Sequence, residues 1–140
     1  YFGYQGDFGD MQSEDWRVAE PLWDYTRHAV ECFQAHLPFH EMTPDNNIVS
    51  GAEGALALAK EGEVYAVYLP NGGSPTIAAA SGNYSVRWYN PRTGGALQTG
   101  DVASVNITTS GNVGNPPSDP SSDWLVILES ARGGSGMQVR

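Results

Sequence analysis

The run from Tyr84 to Gly94, YSVRWYNPRTG, constrains this chain more than any other segment. Tyr84, Val86 and Trp88 alternate with Ser85, Arg87 and Tyr89, the period of two that marks a strand with one buried face. Asn90-Pro91-Arg92-Thr93-Gly94 then supplies a turn: an Asn that starts it, a Pro with φ already set, and a Gly free to take positive φ. A strand ending in such a reversal belongs to an antiparallel sheet. The two faces of that strand cannot both be solvent, because each carries large rings.

The remaining chain fits this reading. Its 140 residues suit a single compact domain, or one domain with part of another, and 40% hydrophobic content is enough for a core. Seventeen Gly and nine Pro imply many turns. Sixteen acidic residues against seven basic ones give a net charge of −9, which repels phosphate backbones and anionic bilayers, so neither nucleic acid nor a membrane surface is an expected partner. No apolar run reaches the roughly 18–20 residues needed to span a bilayer. Cys32 is the sole cysteine, so no intrachain disulfide is available, and it reads as a small buried hydrophobe. The first residue is Tyr1 and no signal peptide is visible, which points to a fragment or a processed product.

Around Pro44 the periodicity changes. Ahead of it, Leu22, Thr26, Ala29, Val30, Phe33 and Leu37 recur at helical steps and predict an apolar stripe that packs on the rest of the domain. Pro21 suits the first helical position, and Pro38 predicts an end near His36. Beyond Pro44, strands are expected near 48–50, 55–59, 64–69, 76–79, 84–89, 97–99, 103–108 and 124–128, with Gly, Asn, Asp and Pro in the gaps. The segment 111–122, GNVGNPPSDPSS, reads as a long loop, and 131–140 as a tail. The expected fold is mainly β, a jelly-roll-like β-sandwich with one N-terminal helix packed on it.

Four segments, MTPDNNIV (42–49), ALALAKEGEVYAVYLPNGG (55–73), YSVRWYNPRTGG (84–95) and DWLVIL (123–128), resemble the family described as "Putative collagen-binding domain of a collagenase". The resemblance implies a small C-terminal β-sandwich that follows a glycoside-hydrolase-like (β/α)₈ barrel in a secreted or cell-surface bacterial protein. YFGYQGDFGDMQSEDWR and the helix after it look like the last strand, loop and helix of such a barrel. The implied division is a barrel-end remnant over 1–40, the sandwich over 41–130, and a flexible tail over 131–140. One βα unit cannot close a barrel.

Chemistry is sparse. Asp7, Asp10 and Trp16 would lie on the active-site side of a barrel, but four acids in nine residues also describe a solvated loop ahead of a helix. No catalytic residue is assigned. Asp7, Asp10 and Asp15, or Asp119 and Asp123, offer hard oxygens without the EF-hand spacing, and Pro38 separates His36 from His40, so neither metal nor other cofactor is expected. Binding rests on rings and cations. Alternation sends Tyr84 and Trp88 to one face and Tyr89 to the other, and it separates Tyr65 from Tyr68. Trp88 and Trp124 are expected core anchors. Tyr89, Arg92, Arg87 and Tyr68 are the candidate ligand contacts: rings that stack on a sugar or proline face, and guanidinium groups that donate planar hydrogen bonds. Arg92 has a second reading, as a brace for its own turn. Asn83-Tyr84-Ser85 and Asn106-Ile107-Thr108 match the glycosylation sequon, a short pattern that arises often by chance.

The expected role is a non-catalytic accessory module that packs on a catalytic barrel in its parent protein and binds polysaccharide or a collagen-like fibre outside the cell. The alternatives are the C-terminal piece of an active glycoside hydrolase and a self-associating structural module.

Overall fold

The computed structural model describes residues 20–131, with side-chain surroundings from Trp23 onward. Helix α1 spans Glu20–His36, and nine strands follow: β1 (Thr43–Pro44), β2 (Val49–Ser50), β3 (Leu56–Lys60), β4 (Val64–Leu69), β5 (Thr76–Ala78), β6 (Gly82–Tyr89), β7 (Ser104–Ile107), β8 (Ser110–Asn112) and β9 (Trp124–Ser130). All pairings are antiparallel. One sheet has the order β1-β3-β4-β9-β6-β7 and the other β2-β5-β8. The molecule is therefore layered as helix, large sheet, small sheet: a mainly β sandwich with α1 on its outer side.

The core lies between the sheets. Tyr65, Val67 and Leu69 of β4, Tyr84, Val86 and Trp88 of β6, and Trp124, Val126 and Leu128 of β9 all point inward and pack with Ile77, Ile107 and Val113. Trp88 and Trp124 meet edge to face with centroids 6.2 Å apart, and Tyr65 meets Tyr84 likewise at 5.6 Å. Their polar tips are placed at turns. The Tyr65 hydroxyl accepts from the backbone N–H groups of Gly62 (2.8 Å) and Ala80 (3.1 Å), and the Tyr84 hydroxyl donates to the Ala80 carbonyl at 2.7 Å. Burial pushes the Tyr84 phenol up to about 12, with the Tyr65 hydroxyl adding to it.

α1 ends where Pro38 predicts, and its last link is Leu37 N–H to Phe33 O at 3.2 Å. Its buried side differs from the expected stripe. His28, Cys32 and Leu37 face the sheet, with Cys32, Leu37 and the half-buried Phe33 packed against Val64, Ala66, Tyr89 and Ile127, while Thr26, Ala29 and Val30 are exposed. The reason is local chemistry: His28 and Tyr89 pin the helix by hydrogen bonds, and apolar periodicity does not register such pins.

Smaller departures have equally local causes. Ile48 closes a 3₁₀ turn because the Asp45 carboxylate accepts from Asn47 N–H at 3.1 Å, so the strand begins at Val49. Of 97–99 only Gln98 pairs, in a bridge to Trp88. β8, Ser110–Asn112, runs into the first two residues of the expected loop. Gly111 allows it, since a Cβ there would stand 2.8 Å from Val105 Cγ2 and 3.0 Å from Ile107 Cγ1. The expected barrel-end strand and loop, and the tail from 132, lie outside the described residues.

Candidate ligand-binding edge

The outer face of the large sheet is organised in rows. Leu56, Tyr68, Leu125 and Tyr89 are successive cross-strand partners, and Leu58, Ala66, Ile127 and Arg87 form the next row. All four candidate contacts thus lie on this face or in the turn that leaves it.

The turn is built from its own residues. Asn90 is buried; its side-chain oxygen accepts from Arg92 N–H at 2.9 Å, and its carbonyl accepts from Gly94 N–H at 2.8 Å. Gly94 has φ +68, and a Cβ there would lie 2.7 Å from the His28 ring, so the bare backbone is what lets the helix dock. His28 Nδ1 lies 3.1 Å from the Pro91 carbonyl, which can only accept, so Nδ1 carries the hydrogen. The Tyr89 hydroxyl donates to the His28 carbonyl at 2.8 Å.

Arg92 leaves the turn and crosses to the segment before β9. Its Nε lies 3.1 Å from Asp123 Oδ1 and its Nη1 3.6 Å from Asp119 Oδ2. Neither contact is aligned as a hydrogen bond, and Nη2 is buried with no partner among the described residues. The guanidinium carbon sits 5.2 Å from the centre of the Trp124 ring, a cation–π distance. Tyr68 closes the group by donating to Asp123 Oδ2 at 3.2 Å. Burial first, and then the Asp123 charge, raise the Tyr68 phenol. Asp119 has φ +44, a strained value for a residue other than Gly. Its carbonyl accepts from the Trp124 indole at 3.2 Å and from Ser122 N–H at 2.9 Å.

Two of the four expected contacts, Tyr68 and Arg92, are brought together through Asp123. Tyr89 shares the row of Tyr68, but α1 covers it and only 2% of it is exposed, so its ring offers no surface here and instead holds the helix. Arg87 is exposed one row away, opposite Ile127, and makes no ion pair among the described residues. Asp7, Asp10 and Trp16 lie outside the described residues. Sequence reasoning missed Asp119 and Asp123 as partners of Arg92. The available signal was the scarcity of cations, since in an acidic chain most of them draw carboxylates, Arg87 being the exception among the described residues. Arg27 takes Asp24 and Glu31, and Lys60 takes Glu41 and Glu63.

A concavity of about 270 Å³ is lined by Glu41, Thr43, Pro44, Asp45, Ala59, Lys60 and Glu61. Lys60 Nζ lies 2.6 Å from Glu41 and 3.3 Å from Glu63, and the ammonium holds the Glu41 carboxyl below its usual range. Lys60 is thus engaged by carboxylates, and the Asp45 carboxylate accepts from Asn47 N–H. Among the described residues no three His, Cys, Asp or Glu side chains are grouped to hold a metal, and no helix is long and apolar enough to cross a membrane.

Helix, sheet and sheet in this order define a small sandwich domain. Residues 43–129 match the family model described as "Putative collagen-binding domain of a collagenase", and the chain belongs to that family. Two solved structures share the fold. One, a "Glycoside hydrolase", is 19% identical with a TM-score of 0.68. The other, a glycoside hydrolase family 5 from Bacteroides vulgatus ATCC 8482, is 18% identical with a TM-score of 0.67. Each match covers 93% of this chain and 30% of the other, so this chain spans under a third of their length. No curated protein matches the chain.

Proposed function

We propose that this chain is a non-catalytic accessory module of a larger, secreted carbohydrate-active protein, and that it holds a neutral polysaccharide along the edge formed by Tyr68, Leu56, Leu125 and the Arg92–Asp123 pair. The observation that carries this reading is the convergence on one edge of a partly exposed phenol, a row of apolar side chains and a charged fork. Leu56 is 56% exposed beside Tyr68. Sugar rings present apolar faces to such a row and hydroxyls to such a fork. The net charge of −9 disfavours polyanions. Family membership and the longer glycoside hydrolases of the same fold support attachment to a larger enzyme. A collagen-like fibre is the second reading, favoured by the family's description, because proline rings also stack on a phenol.

The test is an array of neutral polysaccharides and collagens probed with the purified chain and its Tyr68→Ala variant. Binding to a neutral polysaccharide, weakened about tenfold in the variant, is expected, since one lost stacking contact removes about 1 kcal/mol or more. Binding to collagen alone would favour the second reading. Binding to neither, or binding unaffected by the substitution, overturns the proposal. No hydrolysis of either ligand by this chain is expected.

A further inference from the structure

Asn71 is the one asparagine of eight that precedes a glycine, and no aspartate does. With no Cβ on Gly72, its backbone nitrogen can approach the Asn71 side-chain carbon Cγ with little hindrance. The pair sits in the turn after β4, where Gly72 N–H closes back on Leu69 O at 3.2 Å, the long end of the range for such a bond. Asn71 is exposed, and its Nδ2 lies 3.5 Å from the Glu53 carbonyl, too far to hold the amide firmly. The far side of the turn is pressed on the segment ahead of β9. Gly72 is buried with φ +69, and a Cβ on it would collide with Pro120 O and stand 2.7 Å from Ser122 O. Gly73 N–H donates to Pro120 O at 3.0 Å. Pro120 follows Asp119, whose carboxylate faces Arg92 and whose carbonyl accepts from the Trp124 indole.

We propose that Asn71–Gly72 is a self-modification site, where loss of ammonia through a cyclic imide converts Asn71 to aspartate or isoaspartate, and that isoaspartate there unseats the segment 119–123 and opens the Arg92 corner of the ligand edge. In the first step hydroxide takes the Gly72 amide proton and the nitrogen bonds to Asn71 Cγ. The Cγ–Nδ2 bond breaks, and Nδ2 leaves as ammonia with a proton from water, which regenerates the hydroxide. Water then opens the imide at either carbonyl. Opening at Cγ gives an ordinary aspartate with the backbone length unchanged. Opening at the Asn71 backbone carbonyl leaves the chain running through Cγ, one methylene longer. That methylene falls directly before Gly72, whose bare Cα is fitted against Pro120, so the seat cannot survive the added length. Pro120 passes the displacement to Asp119, and the Asp119 carbonyl passes it to Trp124. The other asparagines are less suited. Asn83 and Asn106 precede the bulky Tyr84 and Ile107, and the Asn112 side-chain oxygen is fixed by Gly114 N–H and Ser74 Oγ, each at 2.9 Å.

The modification does not depend on what the ligand edge binds; only its effect on binding rests on the proposed function. The purified chain is held at mildly alkaline pH, where hydroxide is more plentiful, and sampled over time by peptide mass mapping with an isoaspartate assay. Isoaspartate is expected at position 71 before any other asparagine changes. Conversion no faster than at Asn83 or Asn112, or conversion seen only in urea, overturns the proposal. Asn71→Gln, whose longer side chain closes an imide far more slowly, should stay unmodified over the same time. The isoaspartate form, separated by its added charge, is then compared with the fresh chain in two ways. The Trp124 indole N–H resonance, which reports the bond to the Asp119 carbonyl, should shift, and any neutral polysaccharide bound by the fresh chain should be lost. An unshifted resonance overturns the coupling to the edge. A fresh chain that binds no polysaccharide sinks the functional reading, while the position of modification and the indole resonance still decide this one.

Discussion

The two faces of the large sheet share strands, alternation and register, yet they are closed by different means. On the inner face nine side chains of β4, β6 and β9 are buried against the chain's own second sheet, and rings meet rings. On the outer face the cover is one helix: Cys32, Leu37 and Phe33 pack on Val64, Ala66, Tyr89 and Ile127, and two polar contacts fix its position, Tyr89 to the His28 carbonyl and His28 to the Pro91 carbonyl. The inner face is held by removed water, and misplacing a ring there costs several kcal/mol. The outer face has a smaller apolar cluster and adds directional contacts worth about 0.5–1.5 kcal/mol each. A face of the second kind keeps part of its surface open, and function is more easily placed there.

The contrast can be broken at its strong end first. Trp88→Ala should destabilise the domain by about 3–5 kcal/mol in urea unfolding, and a near-neutral result would mean that the inner face is not the source of stability. Tyr89→Phe tests the weak end. It removes one hydroxyl from a buried helix contact and should cost about 0.5–1.5 kcal/mol, with the near-ultraviolet signal of the sandwich retained; a loss as large as that of Trp88→Ala would erase the distinction. A third effect is absent at neutral pH. Burial pushes Tyr84 up to about 12 from 10.0 and Cys32 up to about 11 from 9.0. Between those values the folded chain keeps protons that the unfolded chain has released, so stability should fall as pH rises from about 9 toward 12 and stay flat below. Urea midpoints at about pH 8 and pH 11 check the sign, and Tyr84→Phe should flatten part of the slope.

The inner face was legible in the sequence and the outer one only in part. Tyr84–Tyr89 shows period two because its inner face is dry while Ser85 and Arg87 reach solvent, and Val64–Leu69 reads as a near-continuous apolar run because most of both its faces are covered. α1 shows why the rest was not. Its apolar positions are real, but periodicity cannot say which side of the helix meets the sheet, and the side that does carries a histidine and a cysteine. The Tyr68–Asp123–Arg92 group was not legible for a related reason. Arg92 and Tyr68 were nameable as a cation and a ring on exposed positions, but their link, Asp123, sits 31 residues beyond Arg92 in a Pro- and Ser-rich segment with no local pattern. β8 was read as loop because a three-residue strand with Gly at its centre carries no apolar signature.

Trp124 belongs to both compartments at once. One side of its indole meets Trp88 in the dry interior, and the Arg92 guanidinium lies over the ring at the rim. A change at the rim cannot leave the interior untouched, because the same ring serves both. Substitutions at this corner will be screened by folding before they are screened by any function placed there, which narrows the routes by which such a domain can vary.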